Sequence, residues 1–151
     1  MPAHFAKYDS KHKASDLFNI VADVEKYPEF LPWVAATRIL EKHENYFIAE
    51  LVVKFKSFTH KYSSKIELMR PLRPEEKEWR INVGLVKGPF KYLKTNWKFI
   101  EKDEGTEISF ELDFRFESVI FEKMIGLLFE KAVMRMSDAF IKRADDLLKD
   151  K

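Results

Sequence analysis

Residues 107–129 read Glu-Ile-Ser-Phe-Glu-Leu-Asp-Phe-Arg-Phe-Glu-Ser-Val-Ile-Phe-Glu-Lys-Met-Ile-Gly-Leu-Leu-Phe. The first half alternates without a fault: Ile108, Phe110, Leu112, Phe114 and Phe116 face one way, and Glu107, Ser109, Glu111, Asp113, Arg115 and Glu117 the other. Successive side chains of a strand leave opposite faces, so this is a strand with one buried side. Ser118 then offers a side-chain acceptor for the free amides of a helix start, and no proline interrupts the chain from there to Lys151. A helix of roughly 30 residues would be ~45 Å long, enough to cross a whole domain. A half-buried strand running straight into such a helix implies a sheet folded around it.

The same period of two recurs upstream. Phe47, Ala49, Leu51, Val53 and Phe55 alternate with a polar face that includes Glu50, Lys54 and Lys56. Tyr62, Ser64, Ile66 and Leu68 alternate with Lys61, Ser63, Lys65 and Glu67, and Pro71 with Pro74 closes that strand. Trp79, Ile81, Val83 and Leu85 form a third face, Gly88-Pro89 a turn, and Leu93, Thr95, Trp97 and Phe99 a fourth. Asp103-Glu104-Gly105 is a hairpin loop leading into the strand quoted first. Near the start, His4 to Asp9 reads as a short strand, and Ser15 and Asp16 offer caps to a helix in which Leu17, Phe18, Val21 and Val24 keep helical spacing. Tyr27 to Trp33 carries Pro28 and Pro32 and reads as a short helical turn or a wall. The expected architecture is α+β, a single domain over residues 1–151. A first strand, two short helices and a curved antiparallel meander lead to one long C-terminal helix.

Composition narrows the functional classes. In 151 residues, 27 Lys and Arg stand against 25 Asp and Glu, so a net charge of +2 gives no broad attraction for nucleic acid. The absence of cysteine removes disulfides, thiol nucleophiles and thiolate-bound zinc. No targeting segment is expected at Met1 to Ser10, and no apolar run reaches the ~18 residues of a membrane span. The core is ring-rich, with 14 Phe, 5 Tyr and 3 Trp.

Few residues suggest catalysis. His4, His12, His43 and His60 fall in no metal-ligand spacing and read as surface histidines, and no dinucleotide, nucleotide or hydrolase motif is present. Glu122 and Glu130 read as the wet face of the last helix. From Val119 to Phe129 that helix is apolar around most of its circumference, although resting on a sheet needs only one stripe. Two readings are open. Either the helix is wrapped on both sides, or sheet and helix enclose a cavity for a large apolar ligand with Phe121, Met124, Ile125, Leu128 and Phe129 at its mouth. Gly126, costly in a helix, points to close backbone approach or a kink, and Met124, Met134 and Met136 can repack around a ligand. Separately, Lys54, Lys56, Lys61 and Lys65 would gather on the outer face of one hairpin. That is either a solvated face or a surface for anionic headgroups or RNA phosphate.

Three segments resemble one family: Leu17-Phe18-Asn19-Ile20-Val21-Ala22-Asp23-Val24-Glu25-Lys26-Tyr27-Pro28-Glu29-Phe30-Leu31-Pro32-Trp33; Gly88-Pro89-Phe90-Lys91-Tyr92-Leu93 with Trp97; and Phe114-Arg115-Phe116. They are similar to the coenzyme Q-binding proteins of the START-like, polyketide cyclase superfamily, in the right order over nearly the whole chain. The resemblance implies the helix-grip fold and binding of ubiquinone or a related polyprenyl lipid as a noncatalytic carrier or chaperone. No cofactor is implied beyond the ubiquinone ligand. The implied setting is peripheral, at the cytoplasmic side of the inner membrane, with the membrane surface and quinone-biosynthesis enzymes as partners. The same family includes ribosome association toxins, which implies the ribosome as the alternative partner, contacted here through the lysine face. Small cyclases are the third alternative.

For quinone binding, the alternation assigns Trp33, Phe55, Val83, Leu85, Trp97, Phe114 and Phe116 to the cavity wall and Tyr62 or Thr95 to the head group. Phe90, Tyr92 and the start of the last helix are assigned to the entrance. An isoprenoid tail gains ~25 cal/mol per Å² buried, and a quinone ring stacks on aromatics.

Overall fold

The computed structural model describes residues 3–55 and 57–149. Strand β1 (Ala3–Ser10) is followed by helix α1 (Ala14–Ala22) and a 3-10 helix (Val24–Glu29). Strands β2 (Val34–Lys42), β3 (Tyr46–Phe55), β4 (Phe58–Met69), β5 (Glu78–Lys87), β6 (Phe90–Lys102) and β7 (Gly105–Phe116) come next, and helix α2 (Val119–Leu148) closes the chain. The strands form one antiparallel sheet in the order β1-β7-β6-β5-β4-β3-β2. Only β1 leaves chain order, pairing beside β7. Its concave face grips α2, the helix-grip architecture.

The apolar sides of the strands are buried as their alternation requires. In β7, Thr106, Ile108, Phe110, Leu112, Phe114 and Phe116 are all buried. Ser118 caps α2 by accepting from the amide of Phe121 at 3.2 Å. One stripe of the helix meets the sheet through Ile125, Phe129, Ala132, Val133, Ser137, Phe140, Ala144 and Leu148, the spacing of one helical face. Gly105 sits at φ +119° where the β6–β7 hairpin turns, and a Cβ there would lie 2.0 Å from the carbonyl oxygen of Ser10. Only glycine fits that turn.

Four features depart from the sequence reading. Strand β2 is an additional edge strand, with bulges between Val34 and Ala36 and between Ile39 and Glu41. Helix α1 starts at Ala14 after Lys13, so Ser15 and Asp16 stand within its first turn and not at the cap position. His12 is buried rather than superficial. Its Nε2 lies 2.8 Å from Asp145 Oδ1, and its backbone carbonyl accepts from Thr106 Oγ1 at 2.7 Å. His4 is half-buried, its Nε2 shielded and without a hydrogen-bond partner. His43 and His60 are exposed, as are Glu122 and Glu130.

Gly126 marks no break in α2, and a Cβ there would meet Glu122 Cγ at 3.4 Å and Phe116 Cε2 at 4.0 Å, ordinary contacts. Close backbone approach therefore does not require the glycine. Gly126→Ala is expected to stabilise the protein by about 0.5–1 kcal/mol in chemical denaturation. A destabilised variant would show that the helix needs to bend there.

Candidate functional site: an apolar cavity under the long helix

Between the sheet and α2 lies a cavity whose floor comes from four central strands. Leu51 and Val53 of β3, Tyr62, Ser64 and Ile66 of β4, Val83 of β5, and Leu93, Thr95 and Trp97 of β6 line it, with Leu112 of β7. Its roof is Phe129, Ala132, Val133, Met136 and Phe140 of α2, and its side wall is Val24, Tyr27, Leu31, Trp33 and Val34. The hollow follows from side-chain size. Ser64 and Thr95 are short residues in the floor and Ala132 is short in the roof, so the layers do not close over them. The free space within is about 80 Å³.

The polar side-chain groups on this lining are the hydroxyls of Tyr27, Tyr62, Ser64 and Thr95 and the indole N–H groups of Trp33 and Trp97. Tyr27 donates its hydroxyl to the carbonyl of Val21. Burial pushes its pKa far up, and the neighbouring Tyr62 adds to the effect. Burial likewise pushes Tyr62 up to about 12. Both phenols therefore stay protonated in the neutral range and act as hydrogen-bond donors, not bases. Thr95 is buried, and Ser64 is 1% exposed with an Oγ that has no hydrogen-bond partner. The lining can hold an apolar body and offer it a few donors.

The sign of the tyrosine shifts yields a pH prediction. Above pH ~10 the unfolded chain loses phenolic protons that the folded chain keeps, so stability is full below pH 10 and falls as pH rises through 12. Tyr62→Phe is expected to raise the alkaline unfolding midpoint relative to wild type. An unchanged midpoint would show that Tyr62 ionises freely in the fold.

Of the residues assigned from the sequence, Trp33, Tyr62, Val83, Thr95, Trp97 and Phe129 meet at the cavity. Phe55, Phe90, Phe114, Phe116 and Phe121 instead form a ring cluster with Phe129 at the start of α2. Phe129 lies 5.2 Å from Phe90, 4.7 Å from Phe114, 5.5 Å from Phe116 and 6.1 Å from Phe55 between ring centroids, and Phe121 packs 5.3 Å from Phe116. That cluster plugs the end assigned as the entrance. Ile125 is buried, Leu85 and Leu128 pack on the core at its edge, and Met124 is exposed. Tyr92 does not stand at an entrance: a bulge between Phe90 and Tyr92 turns Phe90 inward and leaves Tyr92 outside near Asp113 and Arg115. Sequence reasoning put Ser64 on an inward strand face and Met136 among the side chains able to repack around a ligand without assigning either to the cavity wall, and it did not assign Leu31, Ala132, Val133 or Phe140.

Neither reading of the helix start holds whole. The first half of α2 is covered on one face only, and Val119, Ile120, Met124, Leu127 and Met134 are exposed on the other. The second half is tied down by polar contacts. Tyr8 Oη lies 2.7 Å from Ser137 Oγ and donates to Asp138 Oδ1 at 2.9 Å, and Arg143 donates to Glu29 at 2.9 Å. That contact holds the Glu29 carboxyl below its ordinary pKa.

On the convex face, Lys54, Lys61 and Lys65 are exposed on the β3–β4 hairpin, with Lys65 Nζ 4.5 Å from the centre of the Tyr46 ring. Lys56 lies outside the described residues. Among the described residues no cluster of His, Asp and Glu is arranged to hold a metal ion. No helix among them is long and apolar enough to cross a membrane.

A family model described as "Polyketide cyclase / dehydrase and lipid transport" matches residues 10–141, which carry the cavity and most of the helix above it. The chain belongs to this family. Within it, the chain is 38% identical over 138 residues to the ribosome association toxin RatA of Rickettsia prowazekii, covering 91% of this chain and 92% of that protein. It is 26% identical over 136 residues to a mitochondrial coenzyme Q-binding protein of Drosophila melanogaster, covering 86% of this chain and 53% of that protein. The crystal structure of the Zhui aromatase/cyclase from a Streptomyces species shares the fold, with a TM-score of 0.76 at 16% identity, covering 95% of this chain and 93% of that one. Relatives of this chain thus carry names for ribosome association and for coenzyme Q binding, and a protein of the same fold is named a cyclase, so the fold by itself does not choose among them.

Proposed function

We propose that the chain binds ubiquinone or a related polyprenyl lipid in the cavity under α2. It acts as a noncatalytic carrier or chaperone at a membrane surface, supplying quinone-biosynthesis and respiratory enzymes. The observation that carries this reading is the lining, apolar on all sides with hydroxyl and indole donors as its polar groups. Such a wall suits a prenyl chain and a carbonyl-bearing ring. The free space of about 80 Å³ is below the ~300 Å³ of the smallest ordinary ligand pockets, so the bound state requires the cavity to widen. Widening has to part the ring cluster around Phe129 at the start of α2 or the polar ties that hold its second half to Tyr8 and Glu29. The exposed Ile120, Leu127 and Met134, one above another along the helix with Lys123 and Lys131 beside them, suit contact with an anionic bilayer.

Trp33 and Trp97 line the cavity, so their fluorescence reports its occupancy. A short-tailed prenyl-benzoquinone is expected to quench it saturably at one equivalent per chain. Quenching that only follows the quinone's collision with free tryptophan would count against the reading.

The second reading is ribosome association. It is supported by the name of the 38% identical relative and by the exposed Lys54, Lys61 and Lys65. It predicts cosedimentation with ribosomes that is lost at high salt and on replacing those three lysines by glutamate.

A further inference from the structure

Ser64 is the anomaly of the cavity floor. It stands on β4 opposite Ala49 of β3 and Leu85 of β5, and it lines the hollow. Its side chain is 1% exposed, and its Oγ is sealed from solvent with no hydrogen-bond partner. Buried hydroxyls are normally paired, because leaving one unpaired forfeits its hydration without return. Among the other hydroxyls of the lining, that of Tyr27 is committed to the carbonyl of Val21, and Ser64 is the one sealed from solvent without a partner among the described residues. Alanine would fill the same space at Ser64 without the penalty. The serine is explained if something that is present only part of the time accepts from it.

We infer that Ser64 is the polar anchor of the bound ligand, its hydroxyl donating to a carbonyl, ether or hydroxyl oxygen on an otherwise apolar molecule. This rests on the ligand-binding reading and adds an orientation to it. Ser64 lies in the floor of the cavity, so the oxygen-bearing head goes in first and the apolar tail trails away from the floor, towards the half-exposed Tyr27 and Trp33 of the side wall and Met136 of the roof. Because Oγ is closed off from solvent, the head reaches it only as the cavity widens. Hydrogen bonding and opening are then one event.

The test compares two probes with the same prenyl tail, a benzoquinone and the prenylbenzene that lacks its oxygens. The quinone is followed by tryptophan quenching and the hydrocarbon by competition with it. Ser64→Ala is expected to weaken quinone binding about tenfold and to leave prenylbenzene binding within twofold. Ser64→Thr, which keeps the hydroxyl, is expected to retain the preference for quinone. Equal effects of Ser64→Ala on both probes, or no effect on either, would overturn the anchor while leaving the cavity as a binding site. Failure of wild-type protein to bind either probe would overturn the ligand-binding reading and the anchor with it. Circular dichroism and thermal unfolding establish that each variant is folded before it is titrated.

Discussion

Phe129→Ala is expected to lower the unfolding free energy by about 3–5 kcal/mol, measured by chemical denaturation with an unchanged m-value. The phenyl ring is the centre of the cluster that joins the start of α2 to the sheet, with the rings of Phe55, Phe90, Phe114 and Phe116 all within 6.1 Å. It also forms part of the cavity roof. Its removal costs the transfer energy of a buried ring and leaves a void that merges with the existing hollow, so the surroundings cannot collapse onto it. Alanine's better helix propensity returns only about 0.5 kcal/mol. A loss below about 1 kcal/mol would mean that the aromatic cluster is not what holds α2 against the sheet.

Ala132→Leu carries the second large effect, and it acts on binding rather than on stability. Ala132 faces the cavity from the roof and is itself buried. Three added carbons take up part of the free space of about 80 Å³ that Ala132 lines. Filling a void in this way leaves stability unchanged or improved, since the new side chain gains burial at ~25 cal/mol per Å². Bound ligand has to displace that side chain, and prenyl-quinone affinity is expected to fall at least tenfold. A folded Ala132→Leu protein that quenches as wild type does would place the ligand elsewhere.

How much of this was legible in the sequence depends on the range of the interactions that decide each feature. Strand β7 and helix α2 could be read directly, because a period of two and a capping serine are local signals and both faces of β7 are chemically distinct. Strand β2 could not. Of its nine residues only Val34 is buried, and two bulges break what alternation there is. The bulge at Phe90 likewise reverses the parity on which the placement of Tyr92 depended. The burial of His12 is set by Asp145, at the far end of the chain, and no local pattern reports it.

The cavity was legible in part for the same reason. Alternation tells which strand residues face inward, and so Tyr62, Val83, Thr95 and Trp97 could be assigned to the site. It does not tell where the two layers fail to meet. That depends on Ser64 and Thr95 in the floor and Ala132 in the roof lining one hollow, a coincidence of small residues from separate elements. The start of α2 looked like a mouth because it is apolar all round. In the fold its inner face is plugged by rings and its outer face is bare.

The central claim is that this chain carries a polyprenyl quinone between sheet and helix. Organic extraction of natively purified protein, followed by mass spectrometry and a redox difference spectrum, tests it most directly. The account predicts quinone approaching one equivalent per chain. Protein that emerges empty from quinone-replete cells, and that instead sediments with ribosomes at low salt, would contradict it.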